Sequence, residues 1–179
     1  IEMFYQLLQD EHHPKRVISI TGIGGIGKSS LLDQYKKIAS QYQIPFYSLD
    51  SREFAHSPEQ LCTHLLRLSD PSNNFLHQAT DPIATCIQVL NYHSFKSPIV
   101  IALDTYEEIL HLDDWLRERF LPQLSQRIFF ILASRHSLSV GWKTSPAWRK
   151  LIQEIPLSEF DDQQSIEYLQ KNEIGDPHL

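Results

Sequence analysis

The stretch RVISITGIGGIGKS, residues 16–29, decides the fold of this chain. Its first part, residues 16–21, is a short β-branched run that is typical of a buried parallel strand. Its second part, Gly22 to Ser29, matches the phosphate-binding pattern G-x-x-x-x-G-K-[ST] in full. Lys28 to Ser40 then predicts an amphipathic helix, with four apolar side chains on one face: Leu31, Leu32, Tyr35 and Ile38. Strand, glycine loop and helix is the order that this loop requires.

The loop chemistry identifies the candidate ligands. Glycines let successive backbone N–H groups converge on phosphate oxygens, and the start of the following helix adds positive potential. We expect Lys28 to reach the β- and γ-phosphates and Ser29 to give a hydroxyl to Mg²⁺. The candidate nucleotide-binding residues are Gly22, Ile23, Gly24, Gly25, Ile26, Gly27, Lys28, Ser29 and Ser30.

A second apolar run, PIVIAL at residues 98–103, predicts a strand near the centre of the sheet. It ends directly at Asp104, a candidate Mg²⁺ ligand at the same edge of the sheet as the glycine loop. Glu107 and Glu108 follow, and either can polarise the water that attacks a γ-phosphate. The alternative is that these two acids simply open a helix, where negative charge is favourable.

Another strand candidate, RIFFILA at residues 127–133, is followed by Arg135. A guanidinium at this edge can detect and stabilise charge on the γ-phosphate. An exposed loop arginine without that role is the alternative.

The remaining pattern alternates strands and helices. Residues 45–50 and 151–155 predict further strands, and helices are expected from Pro58, around Ile83 to Leu90, and over residues 112–121. Such alternation predicts an α/β fold with a parallel sheet covered on both faces. From Ser158 the pattern changes to that of a capped helix. We therefore expect a core domain at residues 1–156 and the beginning of a helical lid at 157–179.

Composition limits the function classes. The formal charge is −6, and the 16 Lys and Arg residues are dispersed, so a nucleic-acid partner is unlikely on electrostatic grounds. Cys62 and Cys86 form no paired motif, which favours a reducing, cytoplasmic setting. No apolar run is long enough to cross a bilayer, and no membrane partner is expected. The first residues fit the middle of an amphipathic helix, and we interpret the chain as part of a longer protein.

These motifs together resemble the STAND class of P-loop NTPases, the signal-transduction relatives of AAA+ ATPases that include NACHT and NB-ARC proteins. The resemblance rests on residues 22–29, on Asp104 with Thr105, Glu107 and Glu108, and on Ala133-Ser134-Arg135. It implies a three-layer α/β/α sandwich whose five-stranded parallel sheet has the order 5-1-4-3-2. The Gly-Arg-Glu motif that often precedes the first helix of the class is absent from the sequence.

The resemblance also implies a function. It predicts an ATP- and ADP-binding switch with slow, Mg²⁺-dependent hydrolysis, flanked by effector and sensor or repeat domains, with nucleotide-dependent oligomers as a further expectation. One alternative is a domain that holds nucleotide structurally without turnover. A ring-forming AAA+ remodelling ATPase is the other, and it is disfavoured because that class usually places an acid where this chain has Thr105.

Overall fold

The structure is a computed structural model that describes residues 2–9, 14–54, 57–70, 75 and 80–159. Its centre is a sheet of five parallel strands: β1 (Val17–Thr21), β2 (Phe46–Asp50), β3 (Ile99–Asp104), β4 (Ile128–Ser134) and β5 (Ile152–Pro156). The strand order is β2-β3-β4-β1-β5, which is the predicted order read from the opposite edge. The predicted α/β fold with a parallel five-stranded sheet is confirmed.

Helices cover both faces of this sheet. They are α1 (Glu2–Gln9), α2 (Lys28–Gln41), α3 (Pro58–Ser69), α4 (Pro82–Ser94), α5 (Val140–Thr144) and α6 (Pro146–Leu151). Local sequence explains two of the starts, because α3 and α4 each have proline in the first turn and a side-chain cap. The Ser57 hydroxyl accepts the Gln60 N–H, and the Asp81 carboxylate accepts the N–H groups of Ile83 and Ala84.

Alternating strand residues build two separate cores. One face of β3 presents Val100 and Ala102 to a core that also contains α1 and the buried side of α2. The other face presents Ile99, Ile101 and Leu103 to a core that includes α3, α4 and the segments after β3 and β4. The sheet is therefore the middle of three layers, with apolar side chains on both sides.

Strand β3 is an interior strand, but β4 occupies the central position, and all seven residues of β4 are buried. Strand β3 therefore lies beside the middle strand, as expected for a strand near the centre of the sheet. The run of β4, IFFILAS, is as apolar as that of β3, so composition alone does not separate the two positions.

Residues 112–121 are helical, as predicted, but they form several short turns of different types and not one regular α-helix. A 3₁₀ turn (Tyr106–Leu112) is followed by a short α-turn (Asp113–Trp115), a π-turn (Leu116–Phe120) and a second 3₁₀ turn (Leu121–Gln123). Ile109 has non-helical backbone angles, φ −115° and ψ 21°. Pro122 has no backbone N–H group to donate a helical hydrogen bond. Both residues lie just outside residues 112–121, so they limit how far this segment can extend as a helix.

In α3 the buried side chains are Leu61, Cys62, Leu65 and Leu66, whereas Leu68 is 42% exposed. Most of the expected helical lid, residues 160–179, lies outside the described residues. Among the helices that the structure describes, none has the length and apolar character that crossing a bilayer requires.

Candidate functional site

The candidate site is a cleft of about 200 Å³ at the carboxyl ends of the strands. Residues from the segments after β1, β2, β3 and β4 line it: Gly24, Gly25, Lys28, Ser29, Arg52, Asp104, Thr105, Glu107 and Arg135. Ligands of open parallel sheets bind in this location, because the loops that follow neighbouring strands converge there.

The glycine loop has the backbone geometry that its sequence predicts. Gly25 and Gly27 have φ values of 81° and 102°, a region that other residues rarely adopt. Gly22 is required for a different reason: a Cβ there would lie 2.8 Å from the Ile26 side chain and 3.0 Å from the Leu157 carbonyl oxygen. The loop is thus held close to the strand end, and its open side faces the cleft.

Lys28 is the first residue of α2, and its ammonium group folds back over the loop. Nζ donates to the carbonyl oxygens of Gly22 and Ile23, at 2.7 and 3.0 Å. The ammonium is therefore placed directly at the loop that would hold phosphates. Ser30 lies one residue beyond Ser29 and is exposed, in a shallow depression of about 190 Å³ shared with Gly25, Gly27 and Lys28.

Ser29 and Asp104 come together as the sequence predicted. The Ser29 hydroxyl donates to Oδ2 of Asp104 at 2.6 Å, and the Thr105 N–H donates to Oδ1 at 2.8 Å. A hydroxyl and a carboxylate are oxygen donors of the kind that Mg²⁺ prefers, and Mg²⁺ commonly takes only one or two protein ligands beside phosphates and water. Among the described residues, no group of three or more His, Cys, Asp or Glu side chains could hold a metal ion.

Thr105 holds a strained conformation directly after Asp104. Its φ and ψ are 55° and 42°, the left-handed region that costs a β-branched residue roughly 1–3 kcal/mol. The strained turn lets the Thr105 N–H meet the Asp104 carboxylate. The structure thus stores strain at the predicted metal ligand, as is common at functional sites.

Glu107 and Arg135 also meet in the cleft. Oε1 of Glu107 lies 3.2 Å from Nε of Arg135, and Oε2 accepts the Arg135 backbone N–H at 3.2 Å. The Glu107 side chain is 14% exposed and the Arg135 side chain 63% exposed. Glu108 is exposed and does not line the cleft. Of the two acids, the geometry places only Glu107 at the site.

Asp50 and Arg52 were not predicted as site residues from the sequence. In sheet register Asp50 pairs with Asp104, so both carboxylates stand at the same edge. Nε of Arg52 donates to both Asp50 oxygens, at 2.9 and 3.0 Å, and Nη2 donates to Oδ2. Hydrogen bonding to Arg52 is the largest cause that lowers the pKa of Asp50, and Thr105 adds to it. The sequence does contain a signal for this pair, because the predicted strand at residues 45–50 ends in Asp50 and Arg52 follows two residues later.

A hydrogen-bond network around the buried Asp113 was also not predicted from the sequence. The Asp113 carboxylate accepts hydrogen bonds from the Tyr106 hydroxyl at 2.5 Å, Nε1 of Trp142 at 2.7 Å and the Ser139 hydroxyl at 2.7 Å. Burial, and then the Asp113 charge, raises the pKa of Tyr106 above its ordinary value. The network ties the segment after β3 to the segment after β4, the two that carry Glu107 and Arg135.

Comparison with known proteins identifies relatives by fold alone. No protein-family model matches the chain, and no curated protein matches it in sequence. Among solved structures, the Aeropyrum pernix ORC2 protein in ADPNP and ADP complexes has a TM-score of 0.68 at 13% identity, over 95% of this chain and 49% of that one. Drosophila ORC bound to DNA has a TM-score of 0.67 at 18% identity, over 96% and 45%.

The Aeropyrum pernix ORC1 protein in complex with DNA is also similar, with a TM-score of 0.61 at 15% identity over 97% of this chain and 47% of that chain. The chain therefore spans about half the length of the structures that it matches. At these identities the likeness establishes the fold. The chain has the α/β fold of these structures, with a five-stranded parallel sheet covered by helices on both faces.

Proposed function

We propose that the chain is the nucleotide-binding domain of a larger ATP- and ADP-dependent switch protein of the STAND type, and that it hydrolyses ATP slowly. One observation carries the proposal: the Ser29 hydroxyl and the Asp104 carboxylate lie 2.6 Å apart beside the Lys28 loop. This is the combination of a phosphate cradle and oxygen ligands that Mg-nucleotide requires. The ADPNP and ADP complexes of the structurally similar ORC2 protein support it.

The residues divide the work of binding. The loop N–H groups and Lys28 bind the phosphates, and Ser29 with Asp104 would hold Mg²⁺, which neutralises phosphate charge when bound. Glu107 is the candidate for orienting the attacking water, and Arg135 is the candidate contact to the terminal phosphate. Their mutual salt bridge would have to open for both roles, which provides a physical basis for a switch.

The test is isothermal titration of the chain with ADP and with the non-hydrolysable analogue ADPNP, with and without Mg²⁺. Lys28→Ala should weaken binding about a hundredfold or more, since it removes charge-assisted contacts to phosphate. Lys37→Ala is the matched control, because Lys37 is exposed on the same helix and its loss changes the charge equally. Unchanged affinity in the Lys28 variant would refute the assignment of the phosphate loop.

Asp104→Asn tests the metal ligand separately. It should weaken binding in the presence of Mg²⁺ by about tenfold or more, because one metal ligand loses its charge. Metal-free binding should change little or improve, since a negative charge near the phosphates is removed. Equal losses with and without Mg²⁺ would argue against metal ligation.

A second candidate function is an ATPase that assembles with copies of itself. The AAA+ fold of the structural neighbours favours this function. The threonine at position 105 stands against it, because an acid usually occupies that place in ring-forming members. Sedimentation velocity of the chain with ADPNP and with ADP separates the two candidates. A ring-sized species that forms only with ADPNP would favour the assembly.

A further inference from the structure

We propose that Arg52 is the residue by which this site distinguishes a nucleoside triphosphate from a diphosphate, through contact with the terminal phosphate. The inference rests on the proposed nucleotide-binding function and adds to it a specificity-determining residue outside the recognised motifs. It is carried by the placement of the Arg52 guanidinium in the cleft.

Arg52 lies on the far side of Asp104 from the phosphate loop, because of the order of the strands. The phosphate loop follows β1, Asp104 ends β3, and Arg52 follows β2, in a sheet ordered β2-β3-β4-β1-β5. Neighbouring strands are about 4.8 Å apart, so Asp104 lies about 10 Å from the strand of the loop and the end of β2 about 14 Å from it. Arg52 thus lies beyond the metal ligand as seen from the loop. A phosphate chain anchored at the loop would bring only its outermost group to Arg52.

The Asp50 carboxylate orients the guanidinium of Arg52. Nε and Nη2 of Arg52 both face the Asp50 carboxylate, and the Asp50 carboxylate also accepts the Arg52 backbone N–H at 3.0 Å. A guanidinium has five N–H donors in a rigid fork. Within the part of the chain that the structure describes, no protein acceptor bonds to Nη1. The ion pair therefore fixes the plane of the guanidinium and leaves donors directed away from Asp50.

The charged side chains that line the cleft differ in the partners they already have. The cleft is lined by two carboxylates, Asp104 and Glu107, and by three cations, Lys28, Arg52 and Arg135. Lys28 is bonded to the loop carbonyls and Arg135 to Glu107, so each already belongs to the loop or to the candidate hydrolytic pair. Arg52 is 67% exposed, and its anchor Asp50 lies outside the lining of the cleft. It is the cation best placed to gain an anionic partner without breaking the pair in the cleft.

The two flanking arginines have different tasks in this arrangement. Arg135 lies on the β4 side of Asp104 and Arg52 on the β2 side. A terminal phosphate at Asp104 would be approached from both sides, whereas a diphosphate would leave Arg52 with Asp50 alone. Arg52 consequently contributes affinity for the triphosphate without a matching contribution for the diphosphate.

The experiment compares affinities for ADPNP and ADP, with Mg²⁺ present, in the wild type and in Arg52→Gln. One lost charge-assisted contact predicts an affinity for ADPNP about tenfold to a hundredfold weaker, and an affinity for ADP within about threefold of wild type. Arg67→Gln is the matched control, because Arg67 is an exposed arginine on α3. Arg52→Lys keeps the positive charge but lacks the forked N–H groups of the guanidinium. Its preference for ADPNP over ADP should fall between that of the wild type and that of Arg52→Gln.

The ratio of the two affinities distinguishes binding from a structural role. If Arg52 only stabilises the turn after β2, Arg52→Gln lowers the unfolding midpoint but leaves that ratio unchanged, which overturns the inference. The proposed function has its own criterion: wild-type protein that binds neither nucleotide, or binds without need of Lys28, overturns both. Wild-type binding that needs Lys28, with a ratio insensitive to Arg52, overturns the Arg52 inference alone.

Discussion

At the scale of single residues, Glu107 combines a position in the cleft with an ion pair to Arg135. Both Glu107 oxygens contact Arg135, so the carboxylate has to leave this ion pair before it can contact an attacking water. Contacts of this kind rearrange in enzymes when substrate binds, so the pairing does not disqualify it. Glu108 has the opposite profile, since it is exposed and lies outside the cleft lining.

Separate Glu107→Gln and Glu108→Gln variants resolve the roles of the two acids. We expect Glu107→Gln to lower the rate of phosphate release from ATP by about a hundredfold or more, the usual contribution of a positioned general base. Glu108→Gln should stay within about twofold of wild type. ADPNP affinity, measured alongside, should change little in either variant. A larger effect at Glu108 would reassign the base, and no effect at either position would favour the non-hydrolysing module.

The residue scale is also where sequence reasoning was most and least informative. Lys28, Ser29 and Asp104 were predictable because a fixed pattern and a strand end specify them. Asp50 and Arg52 were not, since their role depends on β2 lying beside β3, a neighbour relation between strands about fifty residues apart in sequence. Strand β2 was predicted, but its final acid was not connected to the site.

At the scale of elements, the strands and the starts of α3 and α4 could be predicted from apolar runs, prolines and caps. The segment between β3 and β4 could not, because its 3₁₀, α and π turns are selected by tertiary contacts. Asp113 is the main example: a buried acid in this segment gathers three donors from two different parts of the chain. Periodicity alone treats such a residue as the exposed start of a helix.

Asp113→Ala tests the structural importance of this network. The substitution leaves the Tyr106 hydroxyl, the Trp142 indole N–H and the Ser139 hydroxyl without their acceptor, and each unsatisfied buried group costs about 1–3 kcal/mol. We expect the free energy of unfolding in urea to fall by about 3 kcal/mol or more. Asp33→Ala, at an exposed position on α2, is the control and should change it by less than about 0.5 kcal/mol. A comparably small change at Asp113 would show that the network contributes little to stability.

At the scale of the whole molecule, the site depends on a sheet that two cores support from opposite sides. Every segment that lines the cleft follows one of the four strands β1 to β4, and these strands contribute side chains to both cores. Loss of packing on either face of the sheet would shift the strands, and would therefore move the glycine loop, Asp104 and Arg135 relative to one another. This arrangement predicts that the two cores unfold as one cooperative unit.

Tryptophan fluorescence makes that cooperativity measurable, because Trp115, Trp142 and Trp148 all belong to or pack against the core with α3 and α4. Ile131 lies fully buried in the opposite core, against α1 and α2. Ile131→Ala should lower the free energy of unfolding by about 2–5 kcal/mol. If the sheet couples the two faces, the fluorescence and far-ultraviolet circular dichroism transitions shift together. A dichroism transition that shifts while the tryptophan signal stays in place would mean that each core unfolds independently, and that one face of the sheet can lose its packing while the other remains folded.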